Sequence, residues 1–111
     1  MPIVPIVACV PDLMDRSKVS AAAGALGRDI TFVGPGALAD ADVAGALVLA
    51  DLGRPGVVDA IASISAAGHA ARIIGFGSHV DRDLLDAARS AGATEVLARS
   101  VFFSTLATLL A

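Results

Sequence analysis

The stretch ALVLADLGRPG, residues 46–56, indicates how the chain is expected to fold. Its first five residues are all apolar, which predicts a short strand that is buried on both faces. Asp51 ends that strand, and the Gly-Arg-Pro-Gly sequence of residues 53–56 predicts a turn. Apolar positions then recur at helical spacing over residues 57–67, and Gly68 is typical of a helix end. A buried strand, a turn and a helix in this order form the basic unit of α/β sheets.

The same alternation of strand and helix patterns continues on both sides of that stretch. Further strands are predicted at residues 6–10, 30–33, 72–76 and 95–98. Four other helices are predicted. The first begins at its cap Asp12 and ends at Gly27, and the second is a short helix within residues 38–43. The fourth helix of the chain is capped by Asp81 and ended by Gly92, and the last is capped by Ser100. Strict alternation predicts a single α/β domain over residues 1–111, with a doubly wound, five-stranded parallel sheet and helices on both faces. The common order of five such strands is 2-1-3-4-5, as in flavodoxin-like folds.

The composition fits one small domain with an aliphatic core. Of the 111 residues, 56% are hydrophobic but only 4% are aromatic, so Ala, Val, Leu and Ile must fill the interior. The formal net charge is −3 and the 8 basic residues are scattered, which argues against nucleic-acid binding. Cys9 is the single cysteine; it lies in an apolar run and is expected to be a buried thiol.

The sequence predicts neither a membrane segment nor a secretory signal. No run of residues approaches the roughly 18 consecutive apolar residues of a membrane span. The apolar start of the chain has no Lys or Arg before it, although a signal peptide requires such a charged region. We therefore expect a cytoplasmic protein that does not act at a membrane.

Chemically distinctive residues follow four of the predicted strands. Asp12 follows the first strand and Asp51 the third, whereas Gly77 and Ser78 follow the fourth and Arg99 the fifth. The carboxyl ends of parallel strands lie at one edge of the sheet, where doubly wound folds bind ligands. These residues are therefore expected to line one crevice.

Several segments together resemble the receiver domains of bacterial two-component signalling proteins. Residues 48–56 resemble the receiver pattern in which a phospho-accepting Asp ends the third strand and a Pro stands four residues later. Residues 73–93 resemble the fourth strand and helix of that family, and residues 96–100 resemble its fifth strand and exit. The resemblance covers nearly the whole chain and is weakest over residues 34–43. It implies a signalling module that is not an enzyme, with Asp51 as the phospho-acceptor candidate.

At several positions the chain departs from the receiver pattern. The family has an acidic pair after strand 1 that holds Mg²⁺, but only Asp12 stands here. Gly77 occupies the place of a Ser or Thr hydroxyl, and the neighbouring Ser78 should point elsewhere because side chains alternate along a strand. Arg99 replaces the family's Lys, Ser100 its following Pro, and an aliphatic Leu97 its switch aromatic. These departures predict a degenerate phosphorylation site, as in a pseudo-receiver.

Asp12 and Asp51, two of the charged residues at the strand exits, each allow two interpretations, whereas one pairing is predicted for Arg99. We hypothesise that Arg99 pairs directly with Asp51, with Asp12 as a further acid of that cluster, which would hold the domain in one state without phosphate. Asp12 is a helix cap or a metal ligand; together with Asp51 it is a weak candidate site for Mg²⁺, the one candidate cofactor. Asp51 is a phosphoryl acceptor or a structural residue that binds its own turn.

Three functions remain open from the sequence. The first is a stand-alone receiver-like signalling domain with a degenerate site, which acts by binding a protein partner or a second copy of itself. The second is a response regulator that takes phosphate onto Asp51 from a histidine kinase, and the third is a small-ligand or nucleotide-binding domain. The face of the fourth helix, fifth strand and last helix is the expected contact surface. Phe102 and Phe103 are core residues of the last helix, or one of them adds to an apolar patch on that face.

Overall fold

In a computed structural model that describes residues 4–111, the chain forms one five-stranded sheet with the order β2-β1-β3-β4-β5, and every pairing is parallel. The strands are β1 (Ile6–Cys9), β2 (Ile30–Phe32), β3 (Leu47–Asp51), β4 (Arg72–Gly77) and β5 (Glu95–Ala98). The helices are α1 (Leu13–Ala25), α2 (Val57–Ala67), α3 (Arg82–Ala91), α4 (Arg99–Ser104) and α5 (Leu106–Leu110), with a 3-10 helix at Pro35–Asp40. The predicted fold class and strand order are confirmed.

Two apolar layers cover the two faces of the sheet. Because side chains alternate along a strand, β3 sends Val48 and Ala50 to one layer and Leu47 and Leu49 to the other. The first layer packs against α2, α3 and the 3-10 helix, and the second packs against α1, α4 and α5. Every residue of β1 and β3 is buried, which explains why these strands are apolar as far as Asp51.

Several helix ends lie where the sequence predicts them. Asp12 caps α1, since its Oδ2 accepts the backbone N–H of Asp15 at 2.9 Å. Asp81 caps α3 in the same way. Gly68 and Gly92 follow α2 and α3 with φ of 70° and 107°. Only glycine adopts these left-handed angles without strain, so both helices end there.

Two helical segments differ from the prediction. The short second helix is a 3-10 helix at Pro35–Asp40, because Pro35 has the φ that a first helical turn needs. The last helix begins at Arg99, so Ser100 is not its cap. It also divides into α4 and α5 at Thr105, whose hydroxyl donates to the carbonyl oxygen of Val101 at 2.7 Å; such bonds bend helices. Within residues 4–111, each helix is too short or too polar to cross a lipid bilayer.

Candidate functional site

The register of the sheet places the predicted site residues along one edge. Asp51, the last residue of β3, pairs with Phe76 of β4, and Gly77 of β4 pairs with the last residue of β5. Arg99 follows β5 directly, and Asp12 precedes the first turn of α1. The strand exits are therefore neighbours, but hydrogen bonds and ion pairs connect these side chains differently from our hypothesis.

The carboxylate of Asp51 is held by its own loop. Its side chain is nearly buried, and its Oδ1 accepts the backbone N–H of Gly53 at 3.0 Å. Its Oδ2 lies 3.4 Å from Nε of Arg54, which makes a long ion pair within one turn. Both carboxylate oxygens therefore have partners from the Gly-Arg-Pro-Gly segment. Arg54 is thus the cation at Asp51, although the sequence analysis assigned it only to the turn.

Arg99 binds a different acid from the one we hypothesised. Its Nη2 donates to both carboxylate oxygens of Asp15 on α1, at 2.9 and 2.8 Å. The hypothesis that Arg99 pairs with Asp51 is therefore wrong, and Asp12 does not join such a cluster because its carboxylate caps α1. The physical reason is that the inner face of α1 offers Arg99 a buried carboxylate, whereas Asp51 already has partners in its own loop.

Asp15 is the site residue that sequence reasoning missed. Its side chain is only 6% exposed, whereas that of Arg99 is 42% exposed. The sequence does contain a signal, because Asp15 lies four residues before Val19 and eight before Ala23, which are both buried. An acid on the inner stripe of an amphipathic helix requires a cationic or hydrogen-bonding partner. An acid at this position also suits the first turn of a helix, where negative charge is favoured, so its position alone does not identify Arg99 as its partner.

Two aromatic rings lie beside the Arg99 guanidinium. Its Cζ lies 5.4 Å from the ring centre of Phe76 and 5.3 Å from that of Phe103. Phe102 stacks on Phe76 with ring centres 4.2 Å apart, and Phe102 is fully buried. Phe102 is therefore a core residue and is unavailable to a partner. Phe103 is partly buried, and the ammonium nitrogen of Lys18 lies 5.2 Å from the centre of its ring.

The two carboxylates of the weak Mg²⁺ candidate, Asp12 and Asp51, both accept hydrogen bonds from the protein. Mg²⁺ prefers near-octahedral oxygen ligands and is usually held by one or two carboxylates together with water or phosphate oxygens. One oxygen of Asp12 accepts the N–H at the start of α1, and both oxygens of Asp51 are engaged by its loop. Within residues 4–111, no three His, Cys, Asp or Glu side chains lie together in a way that could hold a metal ion.

Position 77, at the end of β4, is a glycine and therefore presents no hydroxyl to Asp51. A Cβ at Gly77 would lie 3.4 Å from the side chain of Leu85 and 3.7 Å from that of Leu52, among apolar groups. Ser78 is exposed, and its Oγ accepts the N–H of Val80 at 3.4 Å. Gly75 has a packing role, because a Cβ there would lie 2.7 Å from Leu52, whose side chain fills that space.

Cys9 lies at the end of β1, close enough to Asp51 to be affected by its charge. Burial raises the pKa of the Cys9 thiol, the negative charge of Asp51 raises it further, and Arg54 opposes the shift. The thiol is fully buried and free. As predicted, Cys9 is a buried core thiol.

Five cavities are lined by residues 4–111, and one of them lies beside the exit of β4, at His79 and Leu85. None of them is lined by Asp12, Asp51 or Arg99. These five cavities therefore give no specific support to a small ligand that contacts Asp12, Asp51 and Arg99.

The strand order and the layers of helices give the chain the CheY-like, flavodoxin-like fold of receiver domains. The crystal structure of FixJ-N matches with a TM-score of 0.75 and 18% identity, over 97% of this chain and 95% of that one. A CheY-like response regulator from Mesorhizobium loti matches with a TM-score of 0.72 and 17% identity, over 98% of this chain and 97% of that one. At such identities the likeness establishes the fold. No protein-family model and no curated protein sequence matches the chain.

Proposed function

We propose that this chain is a receiver-like signalling domain that acts through protein contacts, and that its carboxyl-end site is fixed in one state. The observation that carries the proposal is the Arg99–Asp15 pair. A cation at the end of strand 5 can respond to a phosphoryl group only if it is free to face the acceptor. Here the buried carboxylate of Asp15 and two aromatic rings hold it.

The other positions support the same proposal. Phosphoryl transfer needs positioned cations that neutralise the charge spreading over the phosphoryl oxygens. Asp12, the acid that follows β1, caps α1. Gly77 has no hydroxyl, and Asp51 binds its own loop. Apart from Arg54, which pairs with Asp51 itself, each group that would assist transfer is therefore missing or has another partner. With no chemistry assigned to the site, the proposed mode of action is recognition.

The proposed partner surface is the face formed by α3, β5 and α4. These are the fourth helix, the fifth strand and the first part of the last helix of the sequence prediction. Phe102 contributes nothing to it because it is buried, so the partly buried Phe103 is the remaining aromatic candidate. Val101 on the same helix is 45% exposed and adds an aliphatic group. We infer that a protein partner binds there through contacts that do not depend on phosphate.

Acetyl phosphate with Mg²⁺, followed by intact-protein mass spectrometry, tests the fixed site. The expected result is no phosphoryl adduct on the wild-type chain. An adduct that Asp51→Asn removes, and that the exposed control Asp59→Asn retains, would overturn the proposal. It would establish the alternative, a response regulator that accepts phosphate from a histidine kinase. That alternative is favoured by one observation, the position of Asp51 at the carboxyl end of the central strand.

A further inference from the structure

The crossover from β2 to β3 leaves part of the sheet uncovered. In doubly wound folds a helix normally packs on the sheet at this place. Here the crossover contains only the 3-10 helix at Pro35–Asp40. Beside it lies a cleft of about 390 Å³. The cleft is lined by residues of β1, β2 and the crossover, namely Pro5, Val7, Thr31, Val33, Ala41, Asp42 and Ala44.

The chemistry of this cleft is apolar with one negative charge. Its lining exposes more apolar than polar surface, and Asp42 is its one charged residue among those described. Asp42 is exposed, and one of its oxygens accepts the N–H of Ala44 at 3.2 Å, which leaves the other oxygen for a partner. The complementary group has aliphatic side chains next to a single cation.

The chain itself exposes such a group at the start of α1. Leu13 is 78% exposed and Met14 is 72% exposed, which is unusual for large aliphatic side chains side by side. Arg16 follows them and is also exposed. Its guanidinium lies 4.4 Å from the ring centre of Phe32, so the start of α1 adjoins β2.

The two surfaces therefore lie on opposite faces of the same edge strand. Phe32 contacts the α1 side, while its neighbours Thr31 and Val33 line the cleft on the other side. When two copies are related by a two-fold axis beside β2, the start of α1 in each copy can lie in the cleft of the other. Such an isologous contact closes on itself and forms a dimer instead of a filament.

We propose that two copies of this chain associate across the β2 edge, with Leu13 and Met14 of each copy in the cleft of the other and Arg16 opposite Asp42. The inference rests on the proposed function, action through protein contacts, and names a second copy as one partner. The surface differs from the α3–β5–α4 face, which stays free for a different protein.

Sedimentation equilibrium of the intact chain between micromolar and millimolar concentrations tests the dimer. The expected result is a mass that rises from 11.0 kDa toward twice that value. Met14→Glu should raise the dissociation constant by about tenfold or more, because it places an acid in an apolar cleft beside Asp42. Val80→Glu and Val101→Glu carry the same change to other exposed aliphatic side chains and should leave the constant unchanged.

A charge exchange locates the contact. Arg16→Glu and Asp42→Arg should each weaken the dimer, and the double variant should recover most of the loss. Circular dichroism checks that each variant is folded. A mass of one chain at every concentration would overturn the inference, as would a dimer that Val101→Glu weakens and Met14→Glu does not. Neither result bears on the acetyl phosphate experiment, so the two proposals fail separately.

Discussion

Truncation of Arg99 is the most informative single perturbation of this fold. Arg99→Ala leaves the carboxylate of Asp15 without its cation in a site where that side chain is 6% exposed. Breaking a fully buried ion pair costs about 3–5 kcal/mol, whereas an exposed pair contributes about 1 kcal/mol or less. Because the Arg99 side chain is 42% exposed, the pair lies between these limits. We expect a loss of about 2–3 kcal/mol in the free energy of unfolding.

Urea denaturation followed by far-UV circular dichroism measures this loss, since the chain contains no Trp or Tyr. Arg89→Ala is the matched control, because Arg89 pairs with Asp86 and their side chains are 55% and 72% exposed. That control should lose about 0.5 kcal/mol or less. Asp15→Asn should recover part of the loss in the Arg99→Ala background, because it removes the unpaired charge. Equal losses for Arg99→Ala and Arg89→Ala would refute the reasoning.

Three further predictions concern packing and pH. Gly75→Ala should destabilise the fold by about 1–3 kcal/mol through overpacking, whereas Gly77→Ala should be nearly neutral; thermal melts compare them. Phe102→Ala should cost about 3–5 kcal/mol in urea denaturation, and Phe103→Ala clearly less, so equal losses would contradict the assignment of Phe102 to the core. Burial raises the pKa of the Cys9 thiol, so the folded state holds that proton more tightly than the unfolded chain. Its contribution to stability is therefore intact below the unfolded pKa of about 8.5 and falls above it by at most about 1.4 kcal/mol per pH unit. Cys9→Ala should remove that part of the slope in urea denaturations at increasing pH, and an unchanged slope would count against a shifted thiol.

The fold was predictable because each of its parts leaves a local signal. Apolar runs of four or five residues, such as 46–50, indicate buried parallel strands. Glycines such as Gly68 and Gly92 mark helix ends, because only glycine adopts their left-handed angles without strain. The division of the last helix was not predictable from periodicity, because it falls at Thr105, whose hydroxyl bonds to the carbonyl oxygen of Val101, within a stretch whose apolar spacing is continuous.

The pairing of charges in the candidate site was harder to predict. The predicted strand ends correctly placed Asp51 and Arg99 at one edge of the sheet. The partner of the Arg99 guanidinium, however, depends on which carboxylate lies within its reach in the folded chain. Asp15 was a competitor because it lies on the inner stripe of α1, eighty-four residues before Arg99 in the chain. Arg54 satisfies Asp51 from within the same turn. Local sequence position indicates which residues meet at an edge, whereas side-chain reach and burial determine which of them pair.

The central claim is that Asp15 holds Arg99, so the site does not respond to a phosphoryl group. A ¹H–¹⁵N spectrum of the chain titrated with beryllofluoride and Mg²⁺ tests this most directly, because beryllofluoride mimics an aspartyl phosphate. We predict that the backbone amides of β5 and α4 and the guanidinium signal of Arg99 stay where they are. Saturable shifts of those signals that Asp51→Asn abolishes would show that Arg99 leaves Asp15 for the acceptor, and would contradict the account.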